Sequence, residues 1–244
     1  MDLSIVIPAL NESKKIARDV EMAAMFLESN NFEGEIIVVD DGSTDDTSEV
    51  AKTVKVPPGV TRKVVRYEQH RGKGYAVRTG IRETSGEYVM FADSGYCVPY
   101  GDVLQGLEML KDGTCDIAHG SRKLIESDIQ QGQLWRRRIC SGLFKWLINK
   151  LLQIPPGITD TQCGFKIYKG DVARQLYSQC ISDGFMFDVE IILRAHKQGY
   201  QIKEFPIEWV CDLDSRLSPT RSSWRVLSEL ITIKRTLDKG PQTQ

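Results

Sequence analysis

Ile36-Ile37-Val38-Val39-Asp40-Asp41-Gly42-Ser43-Thr44-Asp45 runs from four apolar residues straight into two carboxylates, a glycine and three small polar residues. A short, continuous run of β-branched residues is the pattern of a strand buried on both faces, as in a parallel sheet. Gly42 and its neighbours then read as a turn, and Ser43, Thr44 and Asp45 suit the start of a helix. Thr47, Val50, Ala51 and Val54 continue at helical spacing. Strand, turn and helix in this order are one unit of an α/β domain.

The same unit recurs on either side. Leu3 to Pro8 reads as a strand, followed by Ile16, Val20, Ala23, Ala24 and Leu27 at helix spacing. Lys63 to Tyr67 is a third strand, Gly74 to Arg82 a helix and Tyr88 to Ala92 a fourth strand. This alternation predicts an open, mostly parallel, doubly wound sheet, which takes ligands at the carboxyl ends of its strands. Pro8 to Glu12, Asp40 to Asp45, His70 to Gly74 and Asp93 all fall at such ends. Further on, Phe165 to Tyr168 reads as a strand, with helices near 171–179 and 186–198. A strand near 201–210 and a basic helix near 222–237 follow.

Bulk properties exclude several classes. The chain has 244 residues, a formal net charge of −1, 41% hydrophobic and 27% charged residues. That is ordinary for a globular protein and argues against a dedicated nucleic-acid binder. The six cysteines show neither CxxC pairing nor zinc spacing, which predicts a reducing, cytoplasmic setting. The strand-like run starts at Leu3, so no signal peptide is expected, and no apolar stretch approaches the roughly 18–20 residues of a membrane span. We expect one domain over residues 1–235, with a nucleotide half (1–120) and an acceptor half (121–235), and a flexible tail over 236–244.

Two motifs allow alternative readings. Asp40 at a strand end can accept hydrogen bonds from a ribose or a base, or it can build the turn. Pro8-Ala9-Leu10-Asn11-Glu12 occupies the equivalent place after the first strand, where Asn11 alone would pass as a helix cap. Arg71-Gly72-Lys73-Gly74 precedes a helix. Its backbone N–H groups and Lys73 suit a phosphate, while the plain alternative is a loop with two glycines.

Taken together, Pro-Ala-x-Asn-Glu, Val-Asp-Asp-Gly-Ser-x-Asp and Gly-Lys-Gly-x-Ala at this spacing resemble the family-2 glycosyltransferases. The resemblance implies a GT-A-type, Rossmann-like α/β fold and inverting transfer from a nucleoside diphosphate sugar. It implies that Pro8, Ala9, Glu12 and Asp40 bind the nucleoside and that Lys73 lies near the base or diphosphate. It also implies an Asp-x-Asp after the fourth strand, holding Mg²⁺ or Mn²⁺. Here the run is Asp93-Ser94-Gly95, so Asp93 matches the first position and Gly95 stands at the second. A hard cation takes one or two carboxylates beside substrate phosphates, which leaves Asp93 as the expected metal and donor-sugar residue.

Asp160-Thr161-Gln162-Cys163-Gly164-Phe165-Lys166 resembles the polyprenyl-phosphate branch of that family, the dolichyl-phosphate β-glucosyltransferases in particular. Gly120-Ser121-Arg122, Phe187-Asp188-Val189-Glu190 and Glu208-Trp209 extend the match. The branch implies a lipid monophosphate acceptor, with UDP-glucose favoured over GDP-mannose as donor, and Asp188 at the sugar site. Capping or pairing with an arginine is the other reading of Asp188. Guanidinium groups suit phosphate oxygens, so Arg122, Arg136, Arg137, Arg216 and Arg221 are acceptor candidates, with Arg122, Asp93 and Asp188 nearest the chemistry. No acidic residue occurs from Ile129 to Thr159, yet five basic ones do. The apolar residues Trp135, Ile139, Leu143, Trp146, Leu147, Leu151 and Leu152 recur there at helical spacing. Such a helix can lie on a membrane surface or pack into a core. The competing functions are transfer to a soluble hydroxyl, and a nucleotide-sugar-binding protein without catalysis, which Gly95 alone supports.

Overall fold

The computed structural model describes residues 1–129, 152, 154–210 and 223–238. Its first half is the expected alternation. β1 (Leu3–Ala9), α1 (Ile16–Ser29), β2 (Gly34–Asp40), α2 (Thr47–Thr53), β3 (Val60–Arg66), α3 (Lys73–Arg82) and β4 (Tyr88–Ala92) follow in order. β1 pairs in parallel with β2 and with β4, and β2 pairs in parallel with β3. The chain thus winds outward from β1 to β3 and returns to lay β4 on the other side of β1. That reversal opens a crevice at the carboxyl ends of β1, β2 and β4.

The second half contains α4 (Val103–Lys111), β5 (Ile117–Ser121), β6 (Asp128–Ile129), β7 (Phe165–Lys169), α5 (Gly170–Gln179) and α6 (Phe187–Lys197). β8 (Ile202–Pro206), β9 (Glu208–Trp209) and α7 (Ser223–Asp238) complete it. The main sheet has the order β3-β2-β1-β4-β7-β5-β8, and β6 pairs with β9 in a separate two-stranded ribbon. β7 is antiparallel to both of its neighbours, β4 and β5, whereas β5 and β8 are parallel. This reversal has a functional consequence. Because Ala92 at the end of β4 lies opposite Phe165 at the start of β7, the loop before β7 reaches the crevice.

Alternate residues of each central strand feed two cores. Ile5, Ile7, Ile36 and Val38 pack with α1 and α4 on one face. Val6, Ile37, Val39, Val89 and Phe91 pack with α3, α5 and α6 on the other. Both faces are covered by helices, which is why these strands read as unbroken apolar runs.

Several boundaries differ from the sequence expectation. α4 and β5 fall outside the expected elements, although Val103, Leu107 and Leu110 of α4 recur at helical spacing. The strand expected near 201–210 is two strands in different sheets, divided at the buried Ile207. α7 continues to Asp238, so the expected tail starts inside a helix. The amphipathic face of α7 has a partner. Leu230 and Ile233 are buried with Met186, Val189 and Leu193 of the α6 region and with Leu152. This part of α7 therefore packs into the core, while Ile231 is exposed. The Trp135–Leu152 helix, apart from Leu152 itself, lies outside the described residues, as do Arg136, Arg137, Arg216 and Arg221. Among the described residues no helix is long and apolar enough to cross a membrane.

Candidate active site

The first two sequence motifs are stitched together by side chains. Asn11 N–H donates to Ser43 Oγ (2.8 Å), and Glu12 N–H donates to Thr47 Oγ1 (2.8 Å). Ser13 N–H donates to Asp45 Oδ2 (3.2 Å), and Asn11 Oδ1 accepts from Thr44 N–H (2.7 Å). Asn11 therefore ties two loops together and does not cap α1, whose first turn has no side-chain cap. Burial raises the pKa of Asp45, but hydrogen bonds from the side chains and N–H groups of Thr47 and Ser13 outweigh it and lower the pKa to about 2. Asp41 fastens the third motif: its carboxylate accepts from Arg71 N–H (2.8 Å) and Gly72 N–H (2.9 Å), and it lies 2.8 Å from His70 Nδ1. The spacing of the three motifs thus reflects one hydrogen-bonded floor at the ends of β1, β2 and β3. Pro8 and Ala9 are the last two residues of β1, just before it.

Asp40 belongs to the scaffold of this floor. It is fully buried; Oδ1 accepts from Ser43 N–H (2.8 Å), and Oδ2 accepts from the Ser48 hydroxyl. In this arrangement its carboxylate cannot meet a nucleoside without releasing the turn. Glu12 is half-buried at the rim. The start of α3 also differs from the simple phosphate cradle. Gly72 N–H is bound to Asp41, and Tyr75 N–H donates to the Asp183 carbonyl (3.2 Å). The positive character there rests chiefly on Lys73.

Lys73 Nζ lies 2.6 Å from Asp93 Oδ1 and 5.9 Å from the ring centres of both Phe91 and Phe187. Burial works against its charge, but Asp93 and then Asp188 prevail and raise its pKa. Asp93 Oδ1 is shielded from water, and its partner is the Lys73 ammonium. The Asp93 side chain rests on Gly164: a Cβ added there would come within 2.0 Å of Oδ2. Asp93 N–H also donates to the Gly164 carbonyl (2.9 Å). Gly164 is therefore a site residue that motif reading left unexplained.

The rest of the Asp160–Lys166 loop is clamped from behind. Arg122 grips Asp160 with Nε (2.7 Å to Oδ2) and Nη2 (2.9 Å to Oδ1), and Arg122 lies 5.5 Å from the Trp209 ring. Burial opposes both charges, yet each partner stabilises the other: Asp160 is lowered and Arg122 is raised. Glu204 accepts from Thr159 N–H (2.8 Å) and Asp160 N–H (2.7 Å). Much of the Arg122 fork is thus already used within the protein.

Asp188 pairs with a lysine and not with an arginine. Lys166 Nζ, on the central strand β7, donates to Asp188 Oδ1 (2.5 Å) and to the Cys163 carbonyl (2.6 Å). Both side chains are buried, and burial raises the pKa of Asp188 in spite of Lys166 and Lys73. The signal for this pair was a lysine inside an otherwise apolar central strand, which requires a buried partner.

A divalent ion fits this site in one respect. Asp93 offers a hard oxygen lacking an aligned donor, which suits Mg²⁺ or Mn²⁺. Yet among the described residues no three His, Cys, Asp or Glu side chains converge on an ion. Gly95 has φ 98°, a backbone region that disfavours any carboxylate-bearing residue, and its N–H goes to Asp19 Oδ2 (2.9 Å). The metal would be held by Asp93 and by oxygens of a bound diphosphate.

Comparison with known proteins agrees with this geometry. Residues 4–177 match the profile described as "Glycosyl transferase family 2". The human protein named dolichyl-phosphate beta-glucosyltransferase is 33% identical over 248 residues, covering 95% of this chain and 74% of that protein. The Dictyostelium discoideum protein of the same name is 30% identical, covering 95% and 73%. Among solved structures, glucosyl-3-phosphoglycerate synthase from Mycobacterium tuberculosis with UDP superposes with a TM-score of 0.70 at 20% identity, covering 96% of this chain and 80% of that one. The same enzyme solved with Mn²⁺, UDP and glucosyl-3-phosphoglycerate gives 0.66 at 22%, covering 96% and 76%. The fold is therefore that of the GT-A glycosyltransferases, and the chain belongs to glycosyl transferase family 2, beside the dolichyl-phosphate beta-glucosyltransferases.

Proposed function

We propose that this protein is an inverting glycosyltransferase that moves glucose from UDP-glucose to a polyprenyl phosphate at a membrane surface. The observation that carries the reading is the reversed strand β7. It brings the Asp160–Lys166 loop under Asp93, so that the donor and acceptor motifs share one crevice. The names of the relatives support the lipid phosphate and the glucosyl group, and the UDP complexes of the structural neighbours support the base.

In this reaction an acceptor phosphate oxygen attacks the anomeric carbon from the face opposite the diphosphate. The new C–O bond forms as the bond to UDP breaks, and configuration inverts. A lipid phosphate is already anionic at neutral pH, so little general-base help is needed. This suits a crevice where Asp188 is buried against Lys166 and has no route to act as a base. Pro8, Ala9 and Glu12 line the nucleoside end, and Lys73 supplies positive charge toward the leaving diphosphate. A divalent ion held by Asp93 would add Lewis-acid stabilisation of that leaving group. Arg122 positions the acceptor loop through Asp160 and faces the acceptor with its remaining donors. Arg136, Arg137 and Arg216, outside the described residues, supply the further cations that a lipid phosphate at the headgroup level requires.

The test is transfer of labelled glucose from UDP-glucose, with GDP-mannose as the competing donor, to polyprenyl phosphate in anionic vesicles. We expect an organic-extractable product, and flotation with the vesicles that is lost at high salt. Efficient glucosylation of a water-soluble acceptor without flotation would replace the lipid reading by the soluble-hydroxyl one.

A further inference from the structure

Three facts about Asp93 stand together. The partner carboxylate expected two residues on is absent, and the left-handed backbone at Gly95 disfavours one. The Asp93 oxygen that is shielded from water has no aligned hydrogen-bond donor. The group nearest to it is the Lys73 ammonium at 2.6 Å, held between Phe91 and Phe187. A shielded carboxylate needs a positive partner, and here the protein supplies one of its own.

We propose that Lys73 is the resident counter-ion of Asp93, occupying the place of a divalent cation in the nucleotide-free protein, so that metal binds only by displacing the ammonium. The proposal rests on the donor-site reading above. An ammonium 2.6 Å from a carboxylate oxygen lies where a divalent ion would bind that same oxygen, and two cations cannot share it. The free protein therefore discriminates against metal. Once a diphosphate is present, its own charge and oxygens favour the exchange. The neighbouring pair does not relieve Lys73 of this task, because Lys166 is already committed to Asp188 and to the Cys163 carbonyl. Gly164 packs directly against the Asp93 carboxylate and leaves no room for a side chain there.

The experiment is a Mn²⁺ titration of nucleotide-free protein, with free Mn²⁺ read by its electron paramagnetic resonance signal. Wild type, Lys73→Met, Lys73→Gln, Lys73→Arg and Lys73→Met combined with Asp93→Asn are compared, each checked for wild-type folding by circular dichroism. We expect both neutral variants to bind one Mn²⁺ at least about tenfold more tightly than wild type. Lys73→Arg should bind as weakly as wild type, and the added Asp93→Asn should abolish the gain. The proposal is overturned if the neutral variants bind no more tightly than wild type. It is equally overturned if the gain survives Asp93→Asn, which would mean that a group other than Asp93 had become the ligand. UDP binding to wild type is measured separately, with and without Mn²⁺. Failure there removes the donor-site reading while leaving the Lys73–Asp93 result intact.

Discussion

Lys166–Asp188 and Lys73–Asp93 are both lysine–aspartate pairs, with N–O distances of 2.5 and 2.6 Å, yet their surroundings are opposite. The first is closed to solvent, at 1% and 3% side-chain exposure, and its ammonium is also held by the Cys163 carbonyl. The second is 19% and 39% exposed, at the lip of the crevice, and is not aligned as a hydrogen bond. A buried pair with all its donors placed is a structural joint, and removing one member strands the other. A pair that is only partly buried is less costly to separate and can exchange partners. The same two residue types thus serve the fold in one place and the chemistry in the other, and burial with hydrogen-bond alignment decides which.

The largest effect should come from breaking the closed pair. Lys166→Met leaves Asp188 as an uncompensated buried carboxylate. It should lower the unfolding free energy by about 3–5 kcal/mol in urea titration. Adding Asp188→Leu should recover most of that loss, because an apolar pair of similar volume carries no stranded charge. A loss below about 1 kcal/mol in the single variant would show that the joint is not structural.

The open pair should respond in rate and not in stability. Gly164→Ala places a methyl group within 2.0 Å of Asp93 Oδ2 and must displace the carboxylate from its present position. Transfer should fall at least about a hundredfold, or about 2.7 kcal/mol in barrier. Stability should change by less than about 1 kcal/mol, since Gly164 lies in a loop at the edge of the core. Near wild-type turnover would mean that the position of Asp93 is not critical.

This contrast also explains what the sequence could reveal. The parallel half was legible because buried strands are continuous apolar runs and the motifs fall at their ends. Asp40, Asp45, Lys73 and Asp93 were visible as charged residues in those turns. Their partners were not. Nothing in one dimension says that Asp41 reaches Arg71 and Gly72, which depends on β2 pairing with β3, or that Gly164 lies under Asp93, which depends on the reversal of β7 beside β4. β5 is hard to read because His119 is buried within a short strand, whereas α4 does carry a helical pattern in Val103, Leu107 and Leu110. The apolar face of α7 was readable, but its target on α6 was not.

Asp19 supplies the third member of the comparison, a buried carboxylate with no ammonium or guanidinium bound to it among the described residues. It is 2% exposed on α1, beside a cavity of about 420 Å³ lined also by Lys14, Lys15, Arg18, Gly95 and Tyr96. Oδ2 accepts from Gly95 N–H, and Oδ1 is buried without a hydrogen bond. Burial raises its pKa to about 6; the Gly95 N–H, Arg18 and Lys15 oppose the shift, and Glu12 adds to it. The folded protein therefore holds this proton more tightly than the unfolded chain, whose aspartates titrate near 3.8. The sign follows from proton counting: between pH 4 and pH 6 the native state binds more protons, so this group lowers stability as pH rises. Below that window the carboxyl is neutral in both states, and above it the penalty is constant. Asp160 and Asp45 act in the opposite direction, since their depressed pKa values cost stability as pH falls. The wild-type profile alone would therefore mix the two, and the comparison must be made with Asp19→Asn. The amide can still accept from Gly95 N–H but does not ionise. Relative to wild type, Asp19→Asn should gain about 2 kcal/mol between pH 4 and pH 7 in urea denaturation, nearly all of it below pH 6.5. Parallel profiles for the two proteins would mean that Asp19 is ionised and satisfied in the native state, and that a cation in the adjoining cavity compensates it as Lys73 compensates Asp93.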